Sequence, residues 1–276
     1  MLRRALMLAA ALRRKARVVF VTGDDEYRSE YSMPALARIL ETHHKLKCAV
    51  CFARPTPQSN ANIEGLDALK DADLMVLFLR WRALPEAQLE PILQHVAQGK
   101  PTAGFRTSTH SFNYPKDHPR FAENDGFPLR VFGAKWTRHH GHTSTTATTK
   151  AENHPILNGV DPKMTIPSWL YTVNPLQGDV TPLLIGRAIN PERNRDDGPQ
   201  PVAWTKKPNV YFTTLGHPDD FKNESFRRLA VNGMLWTLGR SIPRSGARVD
   251  FVGAYSPPPS GIPRLSRPVN MNRHDA

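Results

Sequence analysis

The side chains best suited to chemistry in this 276-residue chain are an acidic run, three arginines and a set of histidines. Asp24, Asp25 and Glu26 are consecutive. Carboxylates take protons and accept hydrogen bonds from hydroxyl groups at both oxygens. Arg80, Arg82 and Arg106 supply N–H forks that hold an oxyanion or a developing alkoxide. His139-His140-Gly141-His142 is the sharpest local signal, and His110 and His217 stand apart from it. Imidazoles move protons near neutral pH and are the commonest metal ligands. The residue types make Asp24, Asp25, Arg106, His110, His140 and His217 the candidate catalytic groups, and Glu26, Arg80, Trp81 and Asp219 the candidate substrate contacts. Trp81, Trp136 and Trp169 offer flat apolar faces for stacking, or else belong to the core. His139 and His142 are the candidate ligands of a divalent ion such as zinc, with a third ligand from His110 or His217. The competing reading of that run is a solvated, hydrogen-bonding loop.

These residues gain meaning from what precedes them. Four apolar runs each end in polar clusters: Arg17–Thr22 before Gly23-Asp24-Asp25-Glu26, Leu74–Leu79 before Arg80-Trp81-Arg82, Pro101–Phe105 before Arg106 to His110, and Asn209–Leu215 before Gly216-His217-Pro218-Asp219-Asp220. Runs of this length and composition predict strands, and Leu74–Leu79 is continuous as in a strand buried on both faces. Between them, Met33, Leu36, Ile39 and Leu40 have helical spacing, and Pro85–Gln98 reads as a helix stopped by Gly99, with Pro91 predicting a kink or a late start. Alternating strands and helices predict an α/β fold: a flavodoxin-like three-layer sandwich with a mostly parallel central sheet. In such a sheet the ends of parallel strands share one edge, where ligands bind. Residues 112–150 are irregular, 164–215 read as several short strands, and Asn223 caps a helix over Glu224–Leu238 closed by Gly239.

The net charge of +12 is concentrated at the ends. Residues 1–17 carry +6 and residues 240–276 carry +4, so the body carries only +2. A nucleic-acid reader carries its basic patch on the folded face, so the expected partners exclude nucleic acid. No run reaches the length of a membrane span. Residues 1–16 are read as a basic leader with signal-like features. Arg13-Arg14-Lys15 stands where a signal peptide needs small residues, which leaves the compartment open and favours the cytoplasm over export. Residues 17–240 form the domain, and 241–276 a Pro/Arg-rich tail, extended or disordered. Cys48 and Cys51 lie three apart on a strand, facing opposite ways, and are read as small buried hydrophobes.

There is no G-x-G-x-x-G, no Walker loop, no H-E-x-x-H and no G-x-S-x-G. The slot of a nucleophile after the fourth strand is taken by Arg106, which stays protonated and does not attack a carbonyl. The segments VVFVTGDDEYRSEYSMPALARIL, ADLMVLFLRWRALPEAQLEPILQHVAQGKPTAGFRTSTHSF, HHGH, HPILNGV and PVAWTKKPNVYFTTLGH resemble the ThuA-like (trehalose utilisation) family over residues 17–239. The resemblance implies a fold similar to class I glutamine amidotransferases without their cysteine. It also implies a carbohydrate partner, particularly a keto-disaccharide. Many members carry His where this chain has Arg106. The expectation is an enzyme of carbohydrate catabolism using acid–base chemistry, with Arg106 facing an enolate or alkoxide. A non-catalytic sugar-binding or accessory module is the alternative, and a homo-oligomer is a candidate assembly.

Overall fold

The structure is a computed structural model and describes residues 14–141, 144–151, 153–189 and 197–261. Its first half follows the alternation written in the sequence: β1 (Arg17–Gly23), α1 (Ser29–His44), β2 (Lys47–Ala53), the short β3 (Ile63–Glu64), β4 (Leu74–Leu79), α2 (Glu86–Ala97) and β5 (Thr102–Phe105). Helix α3 (Glu123–Phe132) follows, then β6 (Arg138–His139), β7 (Thr145–Thr149), β8 (Lys163–Ile166), β9 (Tyr171–Thr172), β10 (Val180–Ala188), β11 (Gln200–Lys206), β12 (Val210–Thr213) and α4 (Glu224–Thr237).

Ten strands form one sheet in the order β3-β2-β1-β4-β5-β12-β11-β10-β7-β8, and β6 pairs with β9 beside it. The core from β2 to β12 is parallel. The flank is not: β11, β10, β7 and β8 pair antiparallel, as does β3 on the far edge. The sheet is therefore mixed. Part of the cause is local: β11 and β12 are joined by the three-residue turn 207–209, and only parallel neighbours need a long crossover.

Alternation along β1 sends Val18 and Phe20 to one face and Val19 and Val21 to the other. The first face is covered by α1 and α4 through Met33, Leu36, Ile39, Phe226 and Leu229. The second is covered by α2 and α3 through Leu89, Ile92, Phe127 and Phe132. Cys48 and Cys51 are free and buried, one in each of these cores. Asn223 Oδ1 accepts from Phe226 N at 3.1 Å and starts α4 as expected. Helix α2 passes through Pro91 without ending.

Residues 241–261 form no helix or strand, yet they are fastened to the body. Val249 and Val252 offer carbonyls to Arg227 (3.0 Å) and Arg38 (2.9 Å), and Tyr255 donates to the Pro218 carbonyl at 2.8 Å. The segment ends at the loop after β1, where Arg28 Nε donates to the Pro259 carbonyl (2.9 Å) and Gly261 N donates to the Glu26 carbonyl (2.8 Å).

Candidate functional site

Because β1, β4, β5 and β12 are mutually parallel, their polar ends meet on one edge. Among the described residues, three of the four non-glycine residues with positive φ lie there: Arg28 (59°), Trp81 (49°) and Arg106 (41°). Side chains rarely adopt this conformation, and where they do the surroundings hold them in it. Gly216 (φ 144°) follows β12, and a Cβ on it would stand 3.3 Å from Cβ of Arg106. A side chain there would crowd Arg106, and the positive φ further favours glycine.

Arg106 is wholly buried. Its guanidinium lies between the rings of Tyr27 (4.0 Å) and Tyr171 (4.5 Å). One nitrogen donates to the carbonyls of Thr214 (3.0 Å) and Trp169 (3.3 Å). Nε and Nη2, the pair that grips a carboxylate side-on, have no carboxylate partner among the described residues, and the Tyr27 hydroxyl is the polar group beside the guanidinium. Asp24 is equally buried. Its Oδ2 accepts from Tyr27 N at 2.6 Å, while Oδ1 has no partner. Burial, helped by Asp25 and Glu26, pushes its carboxyl up to about 7. Asp24 therefore exchanges a proton near neutral pH.

Asp25 and Glu26 are engaged by Arg80, at 2.9 and 3.1 Å, and the Arg80 guanidinium lies 3.7 Å from the Trp81 ring. Arg80 is thus no loose surface charge. Arg82 is buried too and serves the backbone, donating to the carbonyls of Arg80, Pro57 and Ser59.

The histidines divide. His110 packs 4.9 Å from Trp136 and 5.4 Å from Trp81, and burial, with Arg80 and Arg106 nearby, keeps it neutral well below its ordinary range. His139 lies on the other side of Trp136 (5.8 Å), stacked also on Trp169 (5.3 Å) and near Tyr171. The short strand β6 that carries it therefore packs beside the aromatic cluster at the strand ends. His140 turns away and is buried with Nδ1 3.1 Å from Asp197. His142 lies outside the described residues. Among the described residues, no three His, Cys, Asp or Glu side chains are placed to hold a metal ion.

His217 is held at both nitrogens. Nδ1 accepts from the Asp219 backbone N–H (3.1 Å) and Nε2 is 2.8 Å from Ser260 Oγ. Asp219 Oδ2 stands 3.8 Å from Nδ1, so serine, imidazole and carboxylate fall in line. This is not a hydrolytic triad. A backbone N–H only donates, so Nδ1 is an acceptor and Nε2 carries the proton. A ring in that tautomer donates to Ser260 and cannot deprotonate it. Burial, then the Arg106 charge, lowers His217 to about 4 and keeps it neutral. Asp219 itself is half-exposed, pairs with Lys222 and, of the candidates, neighbours His217.

Three groups here were not singled out from the sequence. Tyr27 and Tyr171 form the clamp on Arg106. Asp220 is buried and accepts from Gly216 N (2.8 Å), His217 N (3.1 Å) and Ser168, which fixes the turn after β12. Glu30, buried at the start of α1 with Oε2 unpartnered, is pushed up to about 8 by burial. Only Asp220 left a trace, as the last residue of the polar cluster after the fourth strand.

A cavity of about 400 Å³ adjoins the edge. Trp81, Trp136 and His110 line it, together with Asn113, Asn124 and Asp125.

The fold and this edge define an α/β protein with a mixed sheet, parallel at its core, helices on both faces, and an arginine in the slot after β5. Two solved structures are similar in fold. A ThuA-like protein from Bacteroides uniformis has a TM-score of 0.61 at 14% identity, covering 82% of this chain and 92% of its own. A ThuA-like protein from Parabacteroides merdae has a TM-score of 0.59 at 14% identity, covering 86% and 96%. No curated protein matches the chain. Residues 17–237 match the model of the ThuA family, described as trehalose utilisation, and the chain belongs to that family.

Proposed function

We propose that the chain acts on a carbohydrate of the disaccharide or keto-disaccharide type, bound in the aromatic-lined cavity beside His110, by acid–base chemistry at the strand ends. The observation that carries this is a buried carboxyl with one unpartnered oxygen, Asp24, and a buried guanidinium with no carboxylate partner among the described residues, Arg106, at the adjoining ends of parallel strands. Buried polar atoms are nearly always satisfied, so a set of unsatisfied ones is filled by a ligand or its waters. Enolisation beside a keto group needs a base and a partner for the oxyanion. Asp24 is the proton carrier in this reading and Arg106 the oxyanion partner. Trp81 and Trp136 take the apolar faces of the sugar, and Asn113 takes a hydroxyl, while the Asn124 amide is held by the Tyr114 backbone. Family membership supports the substrate class, and the stacking of His139 on Trp136, which lines the cavity with His110, supports catalysis.

A specific observation also favours a second reading, a non-catalytic sugar-binding module: both nitrogens of His217 are already occupied. Melting shifts against a panel of disaccharides and their keto forms, followed by product detection, separate the two. Expected for the enzyme are a shift with at least one sugar and turnover that Asp24→Asn reduces at least a hundredfold while the shift remains. A shift without turnover establishes the binding module. No shift with any sugar refutes both.

A further inference from the structure

A second cavity, of about 410 Å³, opens at the opposite edge of the sheet, where β5 and β12 begin. It contains none of the groups described above. Val96 of α2, Val131 of α3 and Val210 of β12 give it an apolar wall. Val96 and Val210 are only partly buried, so this wall is left unfilled by the fold. Lys100, Arg130, Lys206 and Lys207 also line the cavity, and no carboxylate does. Arg130 and Lys207 are neutralised by Glu123 (2.8 Å) and Asp179 (2.9 Å). Lys100 and Lys206 instead donate to the carbonyls of Lys70 (3.3 Å) and Arg130 (3.0 Å), and among the described residues neither ion-pairs with a carboxylate.

We propose that this cavity binds an amphipathic carboxylate, with a medium-length apolar chain against the valines and its carboxylate between Lys100 and Lys206. The volume is that of an ordinary small-molecule site. A sugar would strip its hydroxyls of water against valine side chains, at a cost that nothing there offsets. A neutral apolar molecule would fill the hole and leave both ammonium groups without a counter-charge. An anion without an apolar part would leave the valines wet. Charge and apolarity together select one class. Nothing in the argument depends on the carbohydrate reading of the other edge.

The test is a titration of the full chain, methyl-labelled for NMR, with decanoate. The expected result is a saturable movement of the Val96, Val131 and Val210 methyl signals. Decanol should bind at least tenfold more weakly, and acetate should move nothing. Lys100→Glu with Lys206→Glu, two changes at the surface rim, should weaken decanoate at least tenfold with the melting temperature little changed. Val96→Trp should fill the cavity and abolish binding; if that variant does not fold, the charge reversal decides alone. Absence of saturation in those methyls, equal binding of decanol, or indifference to the charge reversal each overturns the proposal. Movement of the same signals with protein concentration alone would assign the cavity to a contact between two copies and likewise overturn it.

Discussion

Proton positions decide what each group at the strand ends can do. His217 looks like a base by type, but the Asp219 N–H fixes its proton on Nε2, where Ser260 receives it. For this ring to touch a sugar, Ser260 must give way. Replacing Ser260 by alanine removes the competitor, so carbohydrate affinity measured by calorimetry should rise about fivefold, the worth of one ordinary hydrogen bond. An unchanged or weaker affinity would take His217 out of the binding surface. Asp24 and Arg106 were legible in the sequence because each directly follows an apolar run. Tyr171 was not. It reaches Arg106 from the two-residue strand β9, sixty-five positions along the chain, and no periodicity announces that approach. Glu30 was hidden for another reason. An acid in the first turn of a helix ordinarily reads as favourable end charge, and only the packing shows that it is buried.

Elements place these residues, and one tight junction joins β5 to α3 and β12. A Cβ on Gly104 would lie 2.6 Å from ring carbons of both Phe132 and Phe212. Gly104→Ala should therefore destabilise the protein by about 1–3 kcal/mol, the usual penalty of overfilling a packed core. Urea unfolding should show it, with the denaturant slope unchanged. Because Arg106 follows two residues later, the same variant should also weaken sugar binding. Helix α4 was readable from its cap and apolar period. Helix α3 was not, since Gly126 and Pro128 interrupt its pattern and disfavour helix on propensity alone. Burial of Phe127, Val131 and Phe132 against the sheet overrides that preference. The parallel core was likewise readable from the alternation of strands and helices. The antiparallel flank registered only as short β segments, because strand direction there is set by connections rather than by the strands' own residues.

For the whole molecule, the buried acids set how stability follows pH. Glu30 is raised from 4.5 to about 8, so the folded state holds its proton where the unfolded chain has lost it. Stability is lost as pH rises from 4.5 and levels off above 8. Asp24 acts in the same direction between 3.8 and about 7. His217, lowered from 6.5 to about 4, acts oppositely, costing stability as pH falls below 6.5. Above pH 6.5 only the acids remain, and Glu30 then accounts for about 1.5 pH units, or about 2 kcal/mol. The melting temperature should fall between pH 6.5 and 8, and Glu30→Gln should flatten that decline.

The fastening of residues 241–261 has a practical side. Arg14 sits on Asp73 at the edge where β1 begins, whereas Gly261 is bonded to Glu26 just past the edge where β1 ends. A seven-residue strand, roughly 23 Å, separates them. A reporter or affinity handle joined directly after Gly261 is thus held at the rim of the candidate site. One joined ahead of Arg14 hangs from the far side of the molecule. Assays that compare the two attachments measure how open that rim is, before any substrate is known.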